Sequence, residues 1–302
     1  MPTFKPEKLL RASTVTEVLD VFKKYGDKAR IVGGNTFLNE LSKRGLLPEV
    51  KVLVDISGLD LGYVKYENGT LLLGSSVTIQ QLANEIRVKS DNSLKALSLA
   101  ANAVHPVQVR NTATLGGCVS TGLPFLDLPC ALLALESTIT LCSIDSNGAE
   151  VRMDLGDYLS QIFKLADQSF IKDIQVQSAK AGIRSASSFQ KFGLTGFDYG
   201  VVSAAVKLSK DAKDVCTRAS IALCGKGLDL ERMSVAERKL VGNKLTQEIL
   251  EQAAESASSE FKNMTDDIPI RGSVSFKRHI AKVMVARALR DAAHDLEIDY
   301  GR

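Results

Sequence analysis

The sequence predicts an α+β protein of two domains, because three kinds of segment follow one another along the chain. Helix and strand patterns alternate over about the first 57 residues, which is typical of a small α/β unit. The next stretch is richer in strands, with hairpin signals at Asn68-Gly69 and at 145–148. Beyond a polar linker at 177–182, strands at about 187–192, 200–208 and 215–223 predict an antiparallel sheet that helices follow. We therefore expect domains at 1–177, with subdomains of about 1–57 and 58–177, and at 183–302.

Capping signals and apolar spacing position the helices. The capping-box spacing of Thr14 and Glu17 opens a helix that ends at Gly26, and Thr78 with Gln81 repeats that spacing. A helix from about 128 to 135 carries Pro129 in its first turn, where a missing N–H is harmless. The last long helix has a predicted inner face of Phe276, Ile280, Val283, Met284 and Ala288.

The chain is organised around residues 28–44, where an apolar strand runs through a glycine pair into a short helix. Ile31 and Val32 favour a strand, and apolar residues at 37, 38 and 41 recur at helical spacing. The turn therefore lies at 33–36. Its glycines allow positive φ and a close backbone approach, while Asn35 or Thr36 can cap the helix and leave N–H groups pointing outward. This arrangement predicts a diphosphate site, with a tight turn that binds nothing as the alternative.

A second glycine pair lies in a loop at 104–118, again with small and hydroxyl-bearing residues before an apolar helix. By itself Thr114-Leu-Gly-Gly117 is also compatible with a simple turn, but two such loops could hold both ends of a dinucleotide. Asp127 follows at the predicted start of a helix. A helix-capping role and a ligand role both remain open for its carboxylate.

Composition and missing motifs argue against several functional classes. A net charge of +3, interspersed charges and the absence of tryptophan argue against nucleic acid as a partner. No apolar run is long enough to span a membrane and no N-terminal signal is visible, so we expect a cytoplasmic protein. Five scattered cysteines and three distant histidines predict neither a disulfide framework nor a metal site. Without a catalytic motif, we expect no catalytic side chain and a reactivity supplied by a cofactor.

The two loops resemble those of a known family. Ile-Val-Gly-Gly-Asn-Thr at 31–36, Gln-Val-Arg-Asn-Thr-Ala-Thr-Leu-Gly-Gly at 108–117 and the later Asp127 are similar to the FAD-binding subunit of the molybdenum hydroxylases. That group includes xanthine dehydrogenase and the medium subunit of carbon monoxide dehydrogenase. The segment 189–206 resembles the family's C-terminal flavoprotein domain. The resemblance implies a two-subdomain FAD-binding domain of the PCMH type (VAO-like), followed by a domain of antiparallel sheet plus helices.

The resemblance also implies which residues hold a non-covalent FAD. The pyrophosphate loop, which binds mostly through main-chain donors, would comprise Ile31, Val32, Gly33, Gly34, Asn35, Thr36, Phe37 and Leu38. The second loop, close to the flavin and its diphosphate, would comprise Thr114, Leu115, Gly116, Gly117 and Cys118. Further contacts would come from Val104 as an apolar wall, Asp127 as an acceptor for a cofactor hydroxyl, the backbone of Ile171, and Gln190 or Lys191 near the flavin.

The chain departs from the family pattern at three places. Cys118 and Leu123 replace the usual Asn and Ser, and Leu194-Thr195 replaces one or two arginines. Because a thiol is a weaker hydrogen-bond donor than an amide, the flavin's reduction potential or its access to solvent should differ here.

The implied function is that of an electron-transfer subunit, passing electrons from partner iron–sulfur clusters through FAD to NAD, oxygen or another acceptor. A large molybdopterin-binding subunit and a small 2Fe–2S subunit would be the partners, in a dimer of heterotrimers. One alternative is a stand-alone PCMH-type flavin oxidoreductase, which would need its own acid and base over the flavin. Another is a scaffold that binds a nucleotide diphosphate without redox chemistry.

Overall fold

The computed structural model of the 302-residue protein describes residues 5–47, 49–145, 148–165, 168–179, 182–261 and 272–298. Two positions of the predicted turn at 145–148, and residues 180 and 181 of the predicted linker, lie outside the described residues.

The first subdomain is a small α/β unit, as the sequence predicts. A parallel sheet of order β1-β3-β2 carries α1 and α2; the bounds are β1 Lys8–Arg11, α1 Val15–Tyr25, β2 Ala29–Val32, α2 Thr36–Lys43 and β3 Val52–Asp55. The Thr14 hydroxyl caps α1 by accepting a hydrogen bond from the Glu17 N–H, which confirms the predicted start of the helix. The apolar face of α1 is buried in the same core as the strand β3 residues Val52 and Val54.

The second subdomain is built on an antiparallel sheet of order β4-β5-β8-β6-β7. Its strands are β4 Val64–Glu67, β5 Thr70–Gly74, β6 Thr138–Ser143, β7 Glu150–Asp154 and β8 Ser169–Gln177. Asn68 and Gly69 both have positive φ, 50° and 75°, as a type I′ hairpin turn requires, so the predicted hairpin is confirmed.

Eight short helices pack around this sheet in the described part of the chain. They are α3 Ile79–Asn84, α4 Ile86–Ser90, α5 Lys95–Asn102, α6 Val107–Thr112, α7 Leu115–Ser120, α8 Asp127–Ala134, α9 Leu155–Ser160 and α10 Ile162–Leu165. Helices α6 and α7 occupy most of the stretch that the sequence indicates as a loop. Thr78 and Gln81 form the predicted capping box at the start of α3.

The C-terminal domain is an antiparallel sheet of order β12-β11-β10-β9 covered by helices. The bounds are β9 Arg184–Phe192, β10 Val202–Lys210, β11 Cys216–Gly225, β12 Leu228–Arg232, α11 Ser234–Leu240, α12 Gln247–Glu260 and α13 Val274–Asp295. The inner face of α13 differs in part from the prediction. Met284 and Ala288 are buried, but Phe276 is exposed, and Ala281 and Leu289 are buried instead.

The two faces of the C-terminal sheet serve different purposes. Ala204 and Val206 of β10 belong to the core under α12 and α13, whereas Ala205 belongs to the core of the second subdomain. Alternate residues of one strand point to opposite faces. The sheet is therefore packed on both faces: one face lies under α12 and α13, and the other packs against the second subdomain. In the described part of the chain, no helix is long and apolar enough to span a membrane.

Candidate functional site

The first glycine loop leads from β2 into α2 and lies against the second loop. A Cβ on Gly34 would stand 1.7 Å from the carbonyl oxygen of Thr112, and one on Gly33 would stand 2.9 Å from the Thr114 hydroxyl. Neither glycine has positive φ; Asn35 does, at 56°. The expectation that the glycines supply positive φ is therefore wrong. Gly34 is required because the backbone of Thr112 and Ala113 passes where its side chain would be, and a side chain on Gly33 would press against the Thr114 side chain.

The main-chain N–H groups of this first loop face no protein acceptor. Among the described residues, none accepts a hydrogen bond from the N–H of residues 33–36. Asn35 occupies the capping position of α2 without a side-chain hydrogen bond to the helix. Unpaired N–H donors at the start of a helix are suited to an anion such as a diphosphate.

The second glycine loop is different, because its N–H groups are bonded inside the protein. Leu115 N donates to Val77 O at 2.8 Å, and Gly116 N donates to Ser75 O at 2.8 Å. Gly117 N donates to the Thr114 hydroxyl at 3.2 Å. The two loops therefore do not act alike: the first presents free donors, and the second supplies a firmly held wall beside them.

A cavity of about 660 Å³ opens between the two loops and the C-terminal domain. That volume is in the range of cofactor pockets. Predicted site residues that line it are Ile31, Gly33, Gly34, Asn35, Thr36, Phe37, Leu38, Val104, Thr114, Gly117, Cys118, Asp127 and Lys191. The two glycines of the first loop, the free main-chain donors at 33–36 and the cavity volume all fit the diphosphate and rings of an FAD.

Five predicted site residues are not part of the cavity lining. Val32 ends β2, Leu115 and Gly116 are buried behind the second loop, and Ile171 is buried in β8. Gln190 lies on the opposite face of β9 from Lys191, and its Nε2 donates to Asp291 Oδ2 of α13 at 2.6 Å. The structure thus separates the two neighbours that the sequence offered as alternatives, and brings only Lys191 to the cavity.

A buried ionic cluster closes one side of the cavity. Lys191 Nζ donates to Asp127 Oδ2 at 2.7 Å and to Ala103 O at 3.2 Å, and the Ser203 hydroxyl donates to Asp127 Oδ1 at 3.0 Å. Asp127 is the first residue of α8, with Leu126 at the capping position. A capping role for its carboxylate is therefore wrong, and both oxygens are instead held by the C-terminal domain.

Burial and charge act in opposite directions on Asp127. Burial raises the pKa of the Asp127 carboxyl, and the Lys191 ammonium opposes that rise. Burial also raises the pKa of the Cys118 thiol to about 12, with a smaller contribution from the Asp127 charge. Cys118 is therefore a neutral thiol at physiological pH and adds no charge to this side of the cavity.

Aromatic and polar residues that the sequence did not single out form the outer wall. His105, Phe197 and Tyr199 line the cavity, and the His105 and Phe197 rings meet edge to face with centroids 6.3 Å apart. Phe197 is 78% exposed and Tyr199 is 48% exposed. The segment 197–199 lies within the stretch that carries the family resemblance, but nothing in its composition indicates which of its side chains face the cofactor site. Within the described residues, no cluster of three or more metal-ligating side chains is present.

Two family models match most of the chain. The model described as "FAD binding domain in molybdopterin dehydrogenase" matches residues 3–177, and the model described as "CO dehydrogenase flavoprotein C-terminal domain" matches residues 187–292. Together they span both halves of the architecture described above.

Individual relatives are similar over nearly their full length. The chain is 27% identical over 288 residues to subunit alpha of the 6-hydroxypseudooxynicotine dehydrogenase complex of Paenarthrobacter nicotinovorans, covering 94% of this chain and 93% of the relative. It is 27% identical over 291 residues to the FAD-subunit of nicotinate dehydrogenase of Eubacterium barkeri, covering 94% and 95%.

A chain of carbon monoxide dehydrogenase from Hydrogenophaga pseudoflava has the same fold, with a TM-score of 0.84, 24% identity and coverage of 96% of this chain and 98% of that one. The matches confirm the predicted resemblance, the two-part α+β fold, the FAD cofactor and the class of flavin-dependent oxidoreductase subunit. The chain belongs to the family of FAD-binding domains of molybdopterin dehydrogenases.

Proposed function

We propose that this chain is the electron-transfer subunit of a multi-subunit molybdenum hydroxylase. FAD would supply the redox chemistry, accepting electrons from partner iron–sulfur clusters and passing them to NAD, oxygen or another acceptor. The observation that carries the proposal is the row of free main-chain donors at residues 33–36, placed at the mouth of a cavity of about 660 Å³.

The chain's own residues would hold the cofactor from both domains. Main-chain donors at 33–36 would bind the diphosphate, with the Thr36 hydroxyl assisting. Thr114, Gly117 and Cys118 would pack against the cofactor where it passes between the loops. Val104 would give an apolar contact, while Asp127 and Lys191 would offer polar contacts from the deep side.

The remaining predicted contacts keep a lesser role in this proposal. Ile31, Phe37 and Leu38 would shape the first loop around the cofactor, because all three line the cavity. Val32, Leu115, Gly116 and Ile171 would support the loops from behind. Gln190 would act only by holding β9 against α13.

The names of the relatives support partner subunits. One is subunit alpha of a dehydrogenase complex and another is an FAD-subunit, so each is a part of a larger assembly. The proposed partners are a large molybdopterin-binding subunit and a small 2Fe–2S subunit, in a dimer of heterotrimers. All five cysteines are free thiols, which supports a reducing compartment such as the cytoplasm. The proposed domains are 1–177 and 183–302, in keeping with the matches to 3–177 and 187–292.

Purification of the tagged chain from its natural source tests the proposal. We expect a large molybdopterin-containing chain and a small iron–sulfur chain to co-purify in equal ratio. Reduction of the small chain in that complex should bleach the flavin. Recovery of the chain alone, with complete oxidoreductase turnover on a small substrate, would contradict the proposal.

One observation favours a second candidate, the stand-alone flavin oxidoreductase. His105, Asp127 and Lys191 all line the cavity, so groups able to accept and donate protons lie beside the site. A panel of small alcohols and reduced nicotinamides, offered to the FAD-loaded chain without partners, separates the two functions. Rapid flavin reduction by one of the alcohols would favour the stand-alone enzyme.

A further inference from the structure

We propose that Lys191 and Asp127 act as an opposed pair that sets the reduction potential of the flavin bound in this cavity. The ammonium stabilises the more negative reduced form, and the carboxylate limits that effect. This inference rests on the proposed function, because it requires FAD in the cavity. It assigns the pair a role in tuning, beyond holding the cofactor.

The geometry aims the ammonium at the cavity. Lys191 Nζ carries three N–H donors. One is directed to Asp127 Oδ2 at 2.7 Å and one to Ala103 O at 3.2 Å. Among the described residues, no acceptor is present for the third N–H of Lys191. Since the Lys191 side chain lines the cavity, the remaining donor is available to a ligand there.

Burial makes the charges of this pair effective. The Lys191 side chain is 13% exposed and the Asp127 side chain is 5% exposed. Charges removed from water are screened far less by solvent and salt than charges on the surface. A cation held beside a cofactor therefore shifts its electronic balance by more than a surface lysine would.

One further hydrogen bond and the position of Asp127 at the start of a helix fix its carboxylate, so that the ion pair cannot rearrange freely. The Ser203 hydroxyl donates to Asp127 Oδ1 at 3.0 Å, and Asp127 begins α8. Cys118 lies on the same side of the cavity as a neutral thiol, because burial raises its pKa to about 12. On the deep side of the cavity Lys191 and Asp127 thus form the fixed ion pair, while His105 stands on the outer wall.

The test uses Lys191→Met and Asp127→Asn in the full chain loaded with FAD. Dissociation constants for oxidised and reduced FAD give the shift of the bound flavin's potential from that of free FAD. We expect K191M to weaken binding of reduced FAD about tenfold more than that of oxidised FAD, a fall of ~30 mV for a two-electron couple. We expect D127N to shift the potential upward, because it removes the negative charge and keeps an acceptor for Lys191.

A matched ion pair provides the control. Lys95 Nζ and Asp295 Oδ2 are 2.5 Å apart and also join the two domains, from α5 to α13, but neither residue lines the cavity. K95M and D295N should leave the flavin potential unchanged. K191R keeps the charge and should restore most of the shift seen in K191M.

Shifts of the same sign in K191M and D127N would overturn the inference. Equal weakening of oxidised and reduced FAD in K191M would also overturn it, because that result describes an anchor and not a tuning residue. If K191M fails to fold or to bind FAD, the D127N variant tests the inference by itself: an upward shift of the flavin potential supports it, and a downward shift or no shift overturns it. Failure of the proposed function gives a different result: the unsubstituted chain would co-purify with no partner chains, or would bind no FAD, and neither observation depends on Lys191 or Asp127.

Discussion

At the scale of single residues, Gly34 allows the two loops to lie in close contact. Its missing side chain leaves room for the carbonyl of Thr112, which would stand 1.7 Å from an added Cβ. Backbone on both sides of the clash makes it difficult to relieve by a rotamer change. The position therefore couples the shape of the first loop, and its free N–H groups, to the second loop.

Gly34→Ala should force the loops apart. We expect a loss of FAD binding and a fall in the free energy of unfolding of about 1–3 kcal/mol, the usual cost of overpacking. Urea unfolding and an FAD titration measure the two effects. Gly62→Ala is the matched control, because a Cβ there meets nothing within 4 Å. An unchanged FAD affinity in G34A would contradict this account of the loop.

The buried thiol of Cys118 should make the stability of the chain depend on pH. Its folded pKa is about 12, above the ordinary value of 9.0, so the native chain retains a proton that the unfolded chain releases. The resulting contribution to stability is fully present below about pH 9 and is lost as the pH rises toward 12.

Cys118→Ser removes this titration. From about pH 8 to about pH 10, the unsubstituted chain should lose stability relative to C118S. Urea midpoints of the two proteins at each pH provide the measurement. A constant difference between the proteins would show that the thiol titrates normally in the folded chain.

The glycine pairs could be found from the sequence, because paired glycines between a strand and a helix have a structural meaning, whereas a ligand role for Asp127 came from the family resemblance. The partners of these residues could not. Thr112 is 78 positions from Gly34, and Ser203 is 76 positions from Asp127. No local pattern states which distant backbone or hydroxyl group will fill the space beside a residue.

At the scale of elements, strand β9 divides its side chains between two tasks. Lys191 faces the cavity, while Gln190 faces α13 and donates to Asp291 at 2.6 Å. The period of two in a strand makes this division obligatory. The sequence alone could not say which neighbour faces which side. An apolar residue normally identifies the buried face of a strand, and neither Gln190 nor Lys191 is apolar.

Gln190→Ala should separate stability from cofactor binding. We expect a loss of ~1 kcal/mol in the free energy of unfolding, from one hydrogen bond to the exposed carboxylate of Asp291. The dissociation constant for FAD should stay the same. Titration and urea unfolding of Q190A test both statements. A large loss of FAD affinity would mean that Gln190 faces the cofactor after all.

Helices α6 and α7 show where sequence patterns stop being informative. Each has six residues, too few to present a repeating apolar face. Long-range hydrogen bonds stabilise them instead: Arg110 Nε of α6 donates to Gln80 Oε1 at 2.8 Å, and Leu115 N of α7 donates to Val77 O at 2.8 Å. Helices α1 and α3 could be predicted because a Thr is followed three residues later by Glu17 or Gln81, which is a local signal. Thr114 also caps α7, but the residue three positions later is Gly117, so the capping-box spacing is missing.

At the scale of the whole molecule, the cavity belongs to both domains. Lys191, Phe197 and Tyr199 of the C-terminal domain line it together with both glycine loops. The domain order could be predicted, since linker and hairpin signals follow the chain. The docking of β9 and β10 onto the first domain could not, because beside the larger Phe189 the contact is made by small residues such as Ala205, which fit many surfaces.

A ligand held by both domains should stabilise the chain as a unit. We expect FAD at one hundred times its dissociation constant to raise the free energy of unfolding by about 2.7 kcal/mol. Thermal unfolding followed separately by far-UV circular dichroism and by tyrosine fluorescence should then give coincident transitions at higher temperature. Stabilisation of only one of two separate transitions would contradict a shared cavity.

Titration of the purified chain with FAD, followed by removal of unbound cofactor, tests most directly whether the first glycine loop holds a diphosphate. The free donors at 33–36 predict one tightly held FAD per chain, equal binding by G62A, and no retained flavin in G34A. A chain that stays colourless after reconstitution, or a G34A variant that retains FAD as firmly as the unsubstituted protein, would contradict that assignment.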